Sequence, residues 1–146
     1  MRYFFLFMFL MTGLAGNAQD LSYETLLDSA MNASAANRLE EAEKLYQQVL
    51  KLDPANKGNS LVWGNLGSVQ QRLDKIDDAV QSYTMALNLE PNLLAVREQR
   101  AAIFMDKKDF TRAMLDLSAI LDKEPAHEFA LLNRAHLRME QFMLSE

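Results

Sequence analysis

Cysteine is absent from the 146-residue chain, which excludes disulfides, thiolate metal sites and a lipidated N-terminal cysteine. Glycine and proline are scarce, five and three residues. A sandwich or barrel of many short strands needs turn residues about every 8 to 12 positions, so that architecture is excluded as well. Charge of one sign is also lacking: 15 Lys+Arg against 20 Asp+Glu leave a formal charge of −5. So mild an acidity argues against nucleic acid or an anionic membrane surface as the partner. The chain is 49% apolar, too much for a disordered tail, and its length suits one ordinary domain. Helices are the expected element.

The first residues stand apart. Met1-Arg2 carries one positive charge, Tyr3 to Met11 is an unbroken apolar run continued through Thr12-Gly13 to Leu14, and Gly16-Asn17-Ala18 offers small side chains where a signal peptidase reads. This is the pattern of a secretory signal peptide over residues 1–18, followed by a short lead, 19–22. The alternative is a membrane anchor, but a span needs about 20 apolar residues and the run is shorter. An exported protein, periplasmic or secreted and without membrane insertion after cleavage near Ala18, is therefore expected. Loss of Arg2 would take the formal charge to −6.

The remainder has the helical apolar period nearly throughout, and its prolines are regular: Pro54, Pro91 and Pro125 lie 37 and 34 residues apart. Aligned on them, 60–93 and 94–127 are 34-residue copies, 23–56 is an earlier one, and Lys57, Gly58 and Asn59 form an insertion at 57–59. In each copy a small residue stands twelve positions before an alanine: Ala30 and Ala42, Gly67 and Ala79, Ala101 and Ala113. Four residues later comes Tyr46, Tyr83 or Leu117, and three after that Val49, Ala86 or Ile120. Facing small residues let two antiparallel helices approach closely, and the larger ones fill the seams between hairpins. Leu39, Ile76 or Phe110 would plug the turn, and each proline ends a second helix.

The copy at 60–93 holds Trp63, Leu66, Gly67, Ala79, Tyr83, Ala86 and Pro91, and in this spacing the chain resembles the tetratricopeptide repeat family. Gln70 stands where that family favours tyrosine, and the other copies replace the tryptophan by Leu26 and Arg97. The resemblance implies an all-α fold: a right-handed superhelical solenoid of antiparallel hairpins, with three full repeats and, at 128–146, the first helix of a partial fourth. In that helix Leu131, Ala135 and Leu137 are expected on the inner side. Leu144-Ser145-Glu146 falls where Leu39-Glu40-Glu41 and Ile76-Asp77-Asp78 open second helices. Either an unpaired helix caps the array or the array continues, and an exposed Phe142-Met143-Leu144 end would favour self-association.

No constellation for catalysis, cofactor or metal emerges. His127 and His136 are nine positions apart, which does not place them on one helical face. Phosphate-binding glycine loops, nucleophile elbows and H-E-x-x-H are missing. The acidic pairs Glu40-Glu41 and Asp77-Asp78 recur at one repeat position, as expected for charges that stabilise helix N-termini. Met85 and Met114 are assigned to packing, whereas Met31, Met105 and Met139 on first helices could line a groove or pack at its edge.

In the family the concave wall, built of first helices, holds an extended or helical peptide. Its groove positions fall here on Leu61, Gly64, Asn65, Ser68 and Arg72, then Glu98, Gln99, Ala102 and Met105, then Phe129, Asn133 and His136. Asn65 matches an asparagine whose amide both donates to and accepts from a peptide backbone. The lysines and arginine by which chaperone-binding members clamp a terminal carboxylate are replaced by Leu27, Met31, Ala95 and Gln99, so capture of an acidic C-terminus is not expected. The resemblance thus implies an exported, non-enzymatic scaffold for a protein or peptide partner; the alternative is the front of a longer exported protein whose further part carries catalysis, signalling or an anchor.

Overall fold

The structure, a computed structural model, describes residues 22–143. The segment read as a signal peptide and Leu144-Ser145-Glu146 lie outside the described residues, as do the side chains of Phe142 and Met143. Seven helices follow one another: α1 (Tyr23–Ala35), α2 (Leu39–Leu52), α3 (Asn59–Arg72), α4 (Ile76–Leu89), α5 (Leu94–Asp106), α6 (Phe110–Lys123) and α7 (Glu128–Met143). No strand occurs among the described residues, and none of their helices is long and apolar enough to cross a membrane. Successive helices pack pairwise, so α1–α2, α3–α4 and α5–α6 form hairpins that stack through α2–α3, α4–α5 and α6–α7.

Each hairpin turns in the same way. Asn37, Asp74 and Lys108 adopt positive φ of 58°, 59° and 56°. The following amides reach back five residues, Arg38 N to Ala33 O (2.9 Å), Lys75 N to Gln70 O (2.9 Å) and Asp109 N to Phe104 O (2.8 Å). These are left-handed helix terminations that satisfy the last carbonyls of each first helix. Leu39, Ile76 and Phe110 then pack half-buried against the cores. Glu40, Glu41, Asp77 and Asp78 lie in the first turns of α2 and α4.

Close approach within the hairpins is achieved by the small residues. Ala30, Ala42, Ala79, Ala101 and Ala113 are fully buried. A Cβ on Gly67 would stand 2.6 Å from the Tyr83 ring, well inside contact distance, so only glycine fits there. Tyr46, Tyr83, Leu117, Val49 and Ile120 fill the seams, each buried large apolar side chain adding about 1.5–3 kcal/mol.

Three features differ from expectation. The insertion is a locked turn: Asn59, the first residue of α3, is buried, accepts from the Tyr23 hydroxyl (2.9 Å) and donates to Asp53 O (2.9 Å), while Asn56 Oδ1 accepts from Gly58 N (2.8 Å). Met85, assigned to packing, is exposed. In α7 only Leu137 of the three expected inner residues is buried, beside Ala130; Leu131 and Ala135 are exposed. The face carrying them corresponds to the one that α1, α3 and α5 turn to their second helices, and no second helix follows α7 among the described residues.

Candidate functional site

First helices α3 and α5 run side by side, and a groove of about 540 Å³ opens between them. On the α3 side it is lined by Leu61, Gly64, Asn65 and Ser68; on the α5 side by Leu94, Ala95, Val96 and Gln99. Asn92 and Leu93 of the joining loop, Tyr83 of α4 and Glu124 after α6 complete it. Gly64 sets how close the walls come, since a Cβ there would meet Val96 Cγ2 at 3.0 Å. Tyr83 forms a neutral base: burial pushes its phenol up to about 12 against an opposing Ser68 hydroxyl, and its O–H donates to Gln71 Oε1 (2.9 Å).

Five of the twelve residues named from sequence thus meet in one place: Leu61, Gly64, Asn65, Ser68 and Gln99. The side-chain amides of Asn65 and Gln99 are solvent-exposed and have no hydrogen-bond partner among the described residues. The other seven stand elsewhere. Arg72 donates to Ser34 O (3.3 Å) and Asn37 Oδ1 (2.8 Å), tying the end of α3 to that of α1. Glu98 lies 3.2 Å from His127 Nε2. Ala102 is half-buried farther along α5, and Met105 and Phe129 pack against the third hairpin's core. Asn133 donates to Phe129 O one turn back (2.7 Å), and His136 Nε2 is 3.4 Å from Glu140. The loop residues Asn92 and Leu93, and Glu124, escaped the sequence reading because a helix-position register cannot see side chains supplied by connections; their place beside Pro91 and Pro125 was the available signal.

A second groove, about 680 Å³, lies on the other wall between α2 and α4. Trp63, Leu66 and Gln70 of α3 floor it, with Leu50, Gln81 and Met85 at its sides. Beneath it a polar chain, buried at Ser82, Gln70 and Glu43 and exposed at Lys75, joins the first two hairpins. Ser82 donates to Gln70 Oε1 (2.6 Å), Gln70 Nε2 reaches Glu43 (3.5 Å), and Lys75 donates to Glu43 (2.6 Å). The Glu43 hydrogen bond raises the Lys75 pKa. Among the described residues no group of three or more His, Asp or Glu side chains is placed to hold a metal ion.

The family profile of the tetratricopeptide repeat matches residues 23–56 and 61–93. The chain is 31% identical over 102 residues to DnaJ homolog subfamily C member 7 of Homo sapiens, an alignment covering 68% of this chain and 21% of that protein. It therefore spans about a fifth of the length of the curated relatives it matches. The crystal structure of a tetratricopeptide repeat protein from Parabacteroides merdae superposes with a TM-score of 0.78 at 28% identity, over 83% of this chain and 48% of that one. The first such domain of Spaghetti (RPAP3), bound to the HSP90 peptide SRMEEVD, gives 0.71 at 19% identity over 88% and 98%, a likeness of fold. Stacked helical hairpins of this kind define a protein–protein interaction scaffold. The chain is a tetratricopeptide repeat protein.

Proposed function

We propose that the protein is an exported, non-enzymatic scaffold that binds a segment of a partner protein in the groove between α3 and α5. The observation that carries this is the pair of unpartnered amides, Asn65 and Gln99, facing an apolar cleft from two adjacent helices. A primary amide offers a donor and an acceptor in one plane, the complement of a peptide unit, and the apolar side chains of Leu61, Leu93 and Val96 along the groove suit those of the partner. The peptide held by the RPAP3 domain lends the same reading to the fold. The test is recovery of partners from the cell of origin by the wild-type chain and by Asn65→Arg/Gln99→Arg, two exposed positions where helicity should persist. Loss of the partners is expected; equal recovery sinks the assignment.

Export is supported by the Tyr3–Met11 run and Gly16-Asn17-Ala18. Mass analysis of the chain from the cell envelope or medium should show an N-terminus at Gln19, and a cytosolic chain retaining Met1 would refute it. A second reading, that these repeats open a longer exported protein, is favoured by the uncovered face of α7, where Leu131, Leu132 and Met139 are exposed. The mass of the endogenous protein decides it.

A further inference from the structure

Resting on the groove reading, the geometry points to a particular partner chemistry: we infer that the α3–α5 groove takes an extended segment that is apolar and carries a lysine or arginine, attracted by Glu124 on the groove lining and by Glu98, which stands outside that lining across His127. Helix α5 sorts its charges. Arg97 and Arg100 turn to α6, where Asp116 accepts from Arg97 (3.2 Å) and twice from Arg100 (2.9 and 2.7 Å). Their remaining donors go to Pro91 O (3.0 Å) and Thr84 Oγ1 (2.9 Å). Glu98 is the charged side chain of α5 that meets His127.

On α3 the one cation, Arg72, is engaged by Ser34 and Asn37. Among the described residues no lysine or arginine lines the groove, while the exposed carboxylate Glu124 does. Both carboxylates lie against one imidazole nitrogen, His127 Nε2, at 3.2 Å (Glu98) and 4.0 Å (Glu124). The shared imidazole therefore brings two carboxylates to the Glu124 end of the groove. A cation at this negative end of the groove is attracted, and an acidic segment is repelled. The preference is opposite in sign to the acidic peptide SRMEEVD carried by the RPAP3 domain.

The test selects binders to the full chain from an immobilised library of nine-residue peptides, then compares each binder by anisotropy with analogues in which its basic residue becomes Gln or Glu. Selection of peptides with a central apolar stretch and a Lys or Arg is expected. Binding should fall about tenfold for the Glu analogue, and the preference should vanish in Glu98→Gln/Glu124→Gln while the neutral analogue still binds. Selection of neutral or acidic peptides, or a basic preference that survives the double substitution, overturns this inference and leaves the groove in place. Selection of nothing, or the same peptides with undiminished affinity for Asn65→Arg/Gln99→Arg, overturns the groove reading and this inference with it.

Discussion

The second and third hairpins place their helices alike yet close the same positions with opposite chemistry. In the second, Leu66 is buried, Trp63 covers it, and Ser82 donates to Gln70. Thirty-four residues on, these positions hold Arg100, Arg97 and Asp116, and a two-to-one charge cluster stands where carbon and a neutral hydrogen bond stood. Phe104, in the place of Gln70, takes the Arg112 guanidinium over its ring at 4.5 Å. Positions where two backbones meet keep a small residue in both hairpins, Gly67 or Ala101, Ala79 or Ala113. Thus the repeat constrains volume at the helix contact and only satisfaction of polar groups along the seam.

That comparison can be broken first at Asp116. Arg97 and Arg100 have side chains only 18% and 16% exposed, so Asp116→Ala leaves two largely buried cations without their anion and should cost about 3 kcal/mol in urea unfolding. A loss under 1 kcal/mol would show that solvent replaces the aspartate. The equivalent Ser82→Ala removes a neutral hydrogen bond and should cost only about 1 kcal/mol.

Between these falls Gly67→Ala, which forces a methyl into the Tyr83 ring and should cost about 2 kcal/mol. Adding Tyr83→Leu, the third hairpin's pairing of Ala101 with Leu117, should restore much of it, and a double-mutant cycle measures the coupling.

Tyr83 also gives the second hairpin an alkaline weakness that Leu117 does not share. Its pKa is raised from 10.0 to about 12 by burial, so the folded state retains the proton longer than the unfolded chain. The associated stability is complete below pH 10 and is lost as pH rises from 10 to about 12. Tyr83→Leu should flatten that slope, with a residue left by Tyr23 and Tyr46, whose pKa values burial also raises.

The smallest effect belongs to the turns. Lys108 holds φ 56°, for which lysine is less suited than Asn37 or Asp74, so Lys108→Gly should stabilise by about 0.5–1 kcal/mol in thermal unfolding.

The fold was legible because helix contact, turn and helix end each demand a residue type that recurs: Gly67 or alanine, then Tyr83 or Leu117, then proline. The lock formed by Asn59 and Tyr23 was not, since it joins residues 36 apart through a buried amide that any exposed asparagine would match in sequence. The expectation for α7 failed at Leu131 and Ala135 because apolar periodicity marks the face that would be covered and says nothing of whether a covering helix is present. Of the groove, the α3 residues were readable from their register. Arg72, Met105 and Asn133 were not separable from them, because whether a side chain faces a cleft or is spent on a neighbouring helix depends on packing between hairpins.

The central claim is that partners occupy the wall of first helices and not the larger groove opposite. A photo-crosslinking side chain placed at Gln99, on the α3–α5 groove, or at Gln81, on the α2–α4 groove, reports which one in the living cell. Crosslinks to a partner from Gln99 and none from Gln81 are predicted; crosslinks from Gln81 alone would contradict the account.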